Sequence, residues 1–529
     1  MTAGQYIVHI KDALFRSSLM KKAKPVFKEK IKAFDIKSGE KWVIWGPGKA
    51  KLMNILGNKY LCDPPLSLQY GKIKGRQLRI EQVLFKGVVP TAHLSARYEY
   101  FKDDFDQNCK KFIINNAIGS NAVSYDVATS DRVVNMILYE KLVSELFLED
   151  LQERWVMGLS NGQMRRARLA YSLLKEPDLL LIDDPFLGLD PTAASIISNF
   201  LATYDESLTS VVIGMRYQDE IPPWCTHICH VKEEEGVVFQ GSIETFHKEI
   251  ISIKNEVEAA SRTLKSNTFT IEDLISPHPW FGKSHHEIIK MPNCVELNYV
   301  DVKYKGEPVL KNLTWKVRPG SNWHIKGNNG TGKSTLLSLL TAEHPQSWNS
   351  KIIENGAPRR SGKANYFDIN KRIGMSAPEL HAILLRNVGS KQTVREIISS
   401  GFHDASSNNF IPLWDNLDKN KRLLIDMLLT YFNMSTIADS IVFGQLTVSQ
   451  QKLVMFIRSL VKMPEILILD EAFSGMEIEP MIRCHELLEE WPGTILAVSH
   501  VEEETPKCDY TLRLIAPGQF EINDQNNNL

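Results

Sequence analysis

Residues 159–190, LSNGQMRRARLAYSLLKEPDLLLIDDPFLGLD, lie without a gap on residues 446–477, LTVSQQKLVMFIRSLVKMPEILILDEAFSGME. A chain that repeats itself over such a length must build one supersecondary plan twice, and this constrains the fold more than any single motif. Two more pairs extend the match: WVIWGPGKAKLMNIL (42–56) with WHIKGNNGTGKSTLL (323–337), and VVIGMRYQDE (211–220) with ILAVSHVEEE (495–504). Each half reads strand, glycine loop, helical insertion, helix, buried strand, strand, which predicts two similar α/β domains. We place them at 1–246 and 294–529. The intervening 247–293, where the apolar strand pattern lapses, reads as a connector with a helix in EIISIKNEVEAASRTL and a loop in SPHPWFGKSHH.

Charge and cysteine content narrow the function classes. The 62 basic and 63 acidic residues leave a formal charge of −1, so no global field draws in nucleic acid or an anionic membrane. No apolar run approaches the roughly 18 to 20 residues needed to span a bilayer. Seven cysteines without framework spacing suit a reducing compartment. Cys225, His227 and Cys229 alternate as on one strand and lack a fourth ligand, so a core strand is expected there rather than a metal site. The N-terminal residues are rich in Lys and Arg, a bias shared with mitochondrial presequences, yet YIVHIKDALF reads as a first folded strand. A cytoplasmic location is expected, with mitochondrial as the alternative.

The second glycine loop carries complete phosphate chemistry. In GNNGTGKST, Gly327, Gly330 and Gly332 let the backbone curl so that its N–H groups face phosphate oxygens; Lys333 reaches the β and γ phosphates and Ser334 binds Mg²⁺. The helix that follows aims its positive end at the same anion. ILILDEAF then ends a buried strand in Asp470, placed for the metal shell, and Glu471, placed to deprotonate an attacking water.

Phosphate loop, LSNGQ, acidic strand end, GLD and VSH, in this order, resemble the ATP-binding-cassette (ABC) ATPases over nearly the whole chain outside the connector. Two cassettes, STLLSLLTAEHPQ and TVREIISSGF look most like the ModF-type double-cassette proteins and a fungal relative. The fold class implied is tandem P-loop NTPase domains, each with a helical insertion carrying the signature. The resemblance further implies head-to-tail packing, with each ATP between one cassette's phosphate loop and the other's signature. One composite site then gathers Tyr304 (adenine stacking), Gly327, Asn328, Asn329, Gly330, Thr331, Gly332, Lys333, Ser334 and Thr335 around the nucleotide. Ser334 and Asp470 hold the metal there, Glu471 and the switch histidine His500 act with Lys333 in catalysis, and Ser160, Asn161, Gly162, Gln163 and Asp190 face them.

The other composite site collects the departures. Its loop reads one residue short, with Leu52 and Met53 where Ser and Thr would sit; Asp184 replaces the glutamate, Arg216 the histidine, and the facing signature runs Leu446, Thr447, Val448, Ser449, Gln450. Positive charge on Lys49, Lys51 and Arg216 is expected to let it hold nucleotide weakly. No glutamine marks the γ-phosphate-sensing loop; Pro378 and Glu379 stand near its position in the second cassette. The resulting expectation is an ATP-binding, ATP-hydrolysing soluble switch, monomeric, using ATP and Mg²⁺ and acting on a macromolecular partner. The alternatives are the energy subunit of a transporter with separate membrane subunits and a non-hydrolysing ATP-dependent scaffold.

Overall fold

The computed structural model describes residues 6–16, 25–71, 76–84, 107–119, 134–156, 159, 161–204, 209–262, 269–304, 306–328, 330–360, 364–403 and 409–524. The described chain divides into two compact units, one within 6–262 and the other within 269–524, so the division falls inside the stretch read as connector.

In the first unit, β1 (Tyr6–Arg16) and β2 (Ile31–Lys37) pair antiparallel, and the short strands Leu61–Asp63 and Leu68–Tyr70 join β1. The elements that carry the site are β3 (Trp42–Trp45), α1 (Lys49–Leu56), β4 (Ile80–Leu84), α2 (Asn161–Leu174), β5 (Leu179–Asp183), α3 (Pro191–Thr203), β6 (Ser210–Met215), β7 (His227–Lys232), β8 (Gly236–Ser242) and α4 (His247–Arg262), with two further helices, Cys109–Gly119 and Met136–Glu145, between β4 and α2. Six strands form one sheet in the order β8-β7-β3-β6-β5-β4. All neighbours are parallel except the β7–β8 edge.

The second unit repeats the plan. Its antiparallel sheet pairs β9 (Val295–Tyr304) with β10 (Glu307–Val317). After them come β11 (Asn322–Gly327), α5 (Lys333–Leu340), β12 (Ile373–Ser376), α6 (Val448–Leu460), β13 (Ile466–Asp470), α7 (Ile478–Glu489), β14 (Thr494–Val498), β15 (Tyr510–Ala516) and β16 (Gln519–Asp524). The sheet order is β12-β13-β14-β11-β15-β16, the same path element for element.

Local composition explains why these strands lie at the centre. Every residue of β3, β5, β6 and β14 is buried, as continuous apolar runs must be when a parallel sheet is covered on both faces. The tryptophan shared by the two glycine-loop strands does the same job twice: Trp42 stacks on its cross-strand neighbour His227 and Trp323 on Tyr510, each at 4.9 Å and 26° between planes. Cys225 and Cys229 are buried beside and within β7, in keeping with the strand expected there. Helix α4 realises the connector helix, and the segment from 269 is tied to the second unit by His278, whose Nε2 meets Pro464 O at 3.0 Å. Among the described residues no helix is long and apolar enough to cross a membrane.

This topology positions the chemistry. In each unit the glycine-loop strand lies beside β6 or β14, which in turn lies beside the acidic strand β5 or β13. Three carboxyl ends of parallel strands therefore converge, where ligands of open α/β sheets bind.

Candidate functional site

At the second glycine loop, Gly332 caps α5 with φ +99°, and a Cβ on it would lie 2.9 Å from Leu310 Cδ2, so only glycine fits that turn. Lys333 opens the helix and donates from Nζ to Gly327 O (2.6 Å) and Asn328 O (3.1 Å), which folds it back over the loop. Thr331 closes the loop's own turn through Oγ1 to Asn328 O at 2.9 Å. Ser334 is half-buried one residue into the helix, whereas Thr335 is buried in the core.

Asp470 ends β13, and Glu471 follows in a left-handed turn at φ +46°. Its N–H donates to Val498 O at 2.9 Å, which locks the turn against β14. Two residues beyond Val498, His500 Nε2 lies 3.6 Å from Glu471 Oε1. The loop, Glu471 and His500 thus come from the ends of three adjacent strands. Asn329 lies outside the described residues, and so does the Tyr304 side chain.

One residue at this site has no counterpart among the expected motifs. Lys452, on α6, is buried and donates from Nζ to Glu471 O at 2.9 Å. Burial pushes its pKa below the usual lysine value, against the pull of Glu471, Glu504 and Asp470. Its repeat partner is Arg165 on α2, whose Nη1 donates to Asp184 O at 3.2 Å. A basic side chain at matched positions of both signature helices is the signal that reveals it.

The first glycine loop has the same frame with different contents. Asp184 sits at φ +50° and donates its N–H to Gly214 O at 3.0 Å, matching Glu471 on Val498. Two residues separate Gly46 from α1, against five between Gly327 and α5. The loop is therefore three residues short, not one, and this corrects the register read from sequence. With both helices eight residues long, Lys49 takes the place of Lys333 and Ala50 that of Ser334. Leu52 and Met53 match Leu336 and Leu337, and all four are core residues at 0% to 2% exposure.

Lys49 does not face a phosphate cradle. Its Nζ donates to Asp183 Oδ1 and Asp184 Oδ2, both at 2.6 Å, in a buried triad. The other two cations are also matched: Lys51 pairs with Glu233 at 2.8 Å and Arg216 with Asp219 at 2.8 Å. The charge expected to hold nucleotide weakly is already neutralised within the unit.

The signatures differ in the same sense. In the first unit Gly162 and Gln163 lie in the first turn of α2. A Cβ on Gly162 would sit 2.8 Å from Ala193 Cβ, and Asp190 caps α3 by accepting the Ala193 N–H at 2.8 Å. The structure therefore brings Gly162 and Asp190 together; Ser160 lies outside the described residues, as does the Asn161 side chain. In the second unit Thr447 and Gln450 form a reciprocal capping box, and Ser449 Oγ accepts the Glu477 N–H at 2.8 Å. This helix end satisfies its own donors.

The chemistry of the second loop suits a Mg-nucleotide: a half-buried serine hydroxyl, a lysine and a left-handed glycine turn at the start of α5, with the Asp470 carboxylate at the end of a nearby parallel strand. Comparison with known proteins identifies the family. The family model described as ABC transporter matches residues 30–187 and 310–474. An uncharacterised ABC transporter ATP-binding protein of Saccharomyces cerevisiae is 60% identical over 539 residues, covering 100% of both chains. One from Schizosaccharomyces pombe is 28% identical, covering 92% of this chain and 93% of its own. The ABC transporter ATP-binding protein ModF of Escherichia coli is 31% identical, covering 70% of this chain and 72% of its own.

Proposed function

Because the chain belongs to the ABC transporter family and carries two of its ATP-binding cassettes, we propose that it hydrolyses ATP with Mg²⁺ at the second phosphate loop alone, as a conformational switch acting on a macromolecular partner. The observation that carries this reading is the contrast between equivalent positions. Glu471 and His500 stand 3.6 Å apart beside a complete loop, whereas Asp184 and Arg216 are engaged by Lys49 and Asp219.

Each residue then has a role. Lys333 neutralises phosphate charge, and the N–H groups of the glycine turn receive phosphate oxygens. Ser334 and Asp470 would hold Mg²⁺, which would supply charge neutralisation to the phosphates. Glu471 takes the proton of the attacking water, and His500 orients that water from the neighbouring strand. On the family's head-to-tail pairing, Ser160, Asn161, Gly162, Gln163 and Asp190 would complete the site from the first cassette. The first cassette is retained, on this reading, for its signature.

Phosphate release from saturating Mg-ATP tests the reading. Glu471→Gln should lower turnover by about 100-fold or more, the loss expected for a general base, and Ser160→Arg should do so while nucleotide binding persists. Wild-type turnover in Ser160→Arg would show that the first signature does not act on the second loop. The relatives' designation as transporter ATP-binding proteins favours a second reading, the energy subunit of a transporter with separate membrane subunits. Affinity purification of the Glu471→Gln chain in ATP separates the two by whether integral membrane proteins co-purify.

A further inference from the structure

The first phosphate loop does not fit the group that the family places there. A Mg-nucleotide needs a hydroxyl at the second position of the helix, backbone N–H groups directed at the phosphates, and a carboxylate available to the metal shell. Ala50 occupies the hydroxyl position. Four backbone donors of the loop and first turn are already in use: Gly46 N–H to Met215 O, Gly48 N–H to Val231 O, Lys49 N–H to Gly46 O and Lys51 N–H to Gly48 O, each 3.1 Å. The loop is pressed against β7 so closely that a Cβ on Gly48 would lie 2.4 Å from Lys232 O. Each carboxylate gives one oxygen to the same ammonium, Asp183 Oδ1 and Asp184 Oδ2, and the three side chains are only 8%, 4% and 10% exposed.

We propose that Lys49 is a tethered counter-ion standing in for the metal and its nucleotide, so that the first cassette is closed by its own side chain and the whole chain binds a single nucleotide, at the second loop. This rests on the reading of the second loop as a nucleotide site. The electrostatics are self-consistent. Burial alone would lower the Lys49 pKa, but attraction to Asp183 and Asp184 outweighs it, and the ammonium is held protonated. Burial raises the Asp184 pKa by more than Lys49 pulls it down, so this carboxyl stands above the ordinary aspartate value. A divalent cation at the same carboxylates would have to displace this tethered ammonium and remain close to it, which gathers three positive charges in a dry pocket.

The three-residue shortening explains how the exchange arises. With the long loop, Lys333 is carried back over backbone carbonyls Gly327 O and Asn328 O. With the short loop, the helix starts closer to the strand and its first side chain projects onto the acidic pair.

Equilibrium dialysis of the full chain with Mg²⁺ and the non-hydrolysable β,γ-imido analogue of ATP decides the matter, with Mn²⁺ replacing Mg²⁺ for a parallel paramagnetic-resonance titration. The expected result is one analogue and one nucleotide-dependent Mn²⁺ per chain, and loss of both in Lys333→Ala up to concentrations 100-fold above the wild-type Kd. Two analogues on the wild type, or one retained by Lys333→Ala, would overturn the proposal. No binding by the wild type would leave the Lys49 lock standing and defeat the reading of the second loop. Should Lys333→Ala fail to fold, the wild-type stoichiometry alone decides.

Discussion

Replacing Lys452 by methionine tests how the general base is held. Glu471 sits at φ +46°, a conformation that costs a residue with a side chain about 1 to 3 kcal/mol. Two hydrogen bonds hold it there, its N–H to Val498 O and its carbonyl from Lys452 Nζ, both 2.9 Å. A hydrogen bond from a charged donor contributes about 1.5 to 3 kcal/mol, so the Lys452 bond is as large as the strain it opposes. Methionine fills a similar volume without the charge, and removing a buried ammonium offsets the lost bond, so global stability should change little. If the released turn relaxes, the lost hold appears as about a 10- to 100-fold fall in kcat at about 1.4 kcal/mol per decade. KM for ATP should stay the same, because Lys452 contacts the base's backbone and not the loop. Lys452→Arg should recover most of the rate, since Arg165 makes the matching contact to Asp184 O at 3.2 Å in the other unit. Phosphate release under saturating Mg-ATP, with a thermal melt on the same samples, measures both quantities. A well-folded Lys452→Met protein with kcat within two-fold of wild type would refute the argument.

Lys49→Ala leaves two buried carboxylates without their cation, and breaking such a cluster costs about 3 to 5 kcal/mol; the melting transition of the first unit should drop by roughly 6 to 20 °C, and an unshifted melt would show the triad contributes nothing. Lys51→Ala removes a surface ion pair with Glu233, at 33% and 38% exposure, which contributes at most about 1 kcal/mol, and a hydrogen bond from Nζ to Glu233 O; hydrolysis should change less than about three-fold, while Lys333→Ala assayed alongside should lose it. His230 and His324 are pushed down to about 4 by burial, below the unfolded value near 6.5. Their contribution is complete above pH 6.5 and is lost as pH falls towards 4, so at pH 5 each should cost about 1 to 2 kcal/mol by linkage; equal denaturant midpoints at pH 7 and pH 5 would contradict this.

The contiguous sequence was enough to determine the two cassettes, their motif order and the assignment of an intact loop to the second. Those features are local: a glycine turn, the lysine after it, an apolar strand ending in acids and a capped helix each express their chemistry within a few residues, and the repeat sets two copies side by side for comparison. The identity of the working lysine in the damaged loop was not local. Lys51 looked equivalent to Lys333 by proximity to the apolar run, but the start of α1 relative to β3 decides which side chain turns inward, and that start depends on packing of Leu52 and Met53 into the core. Lys49 then meets carboxylates 134 and 135 residues away, a contact that exists only because the sheet order sets β6 between β3 and β5. Lys452 beneath Glu471 is of the same kind, a helix residue whose partner is chosen by how α6 lies against the end of β13. Pattern fixes what each segment is, because propensity and periodicity act over one or two turns; the pairing of buried charges is set by tertiary packing, where the cost of an unmatched ion forces each one to find its counterpart.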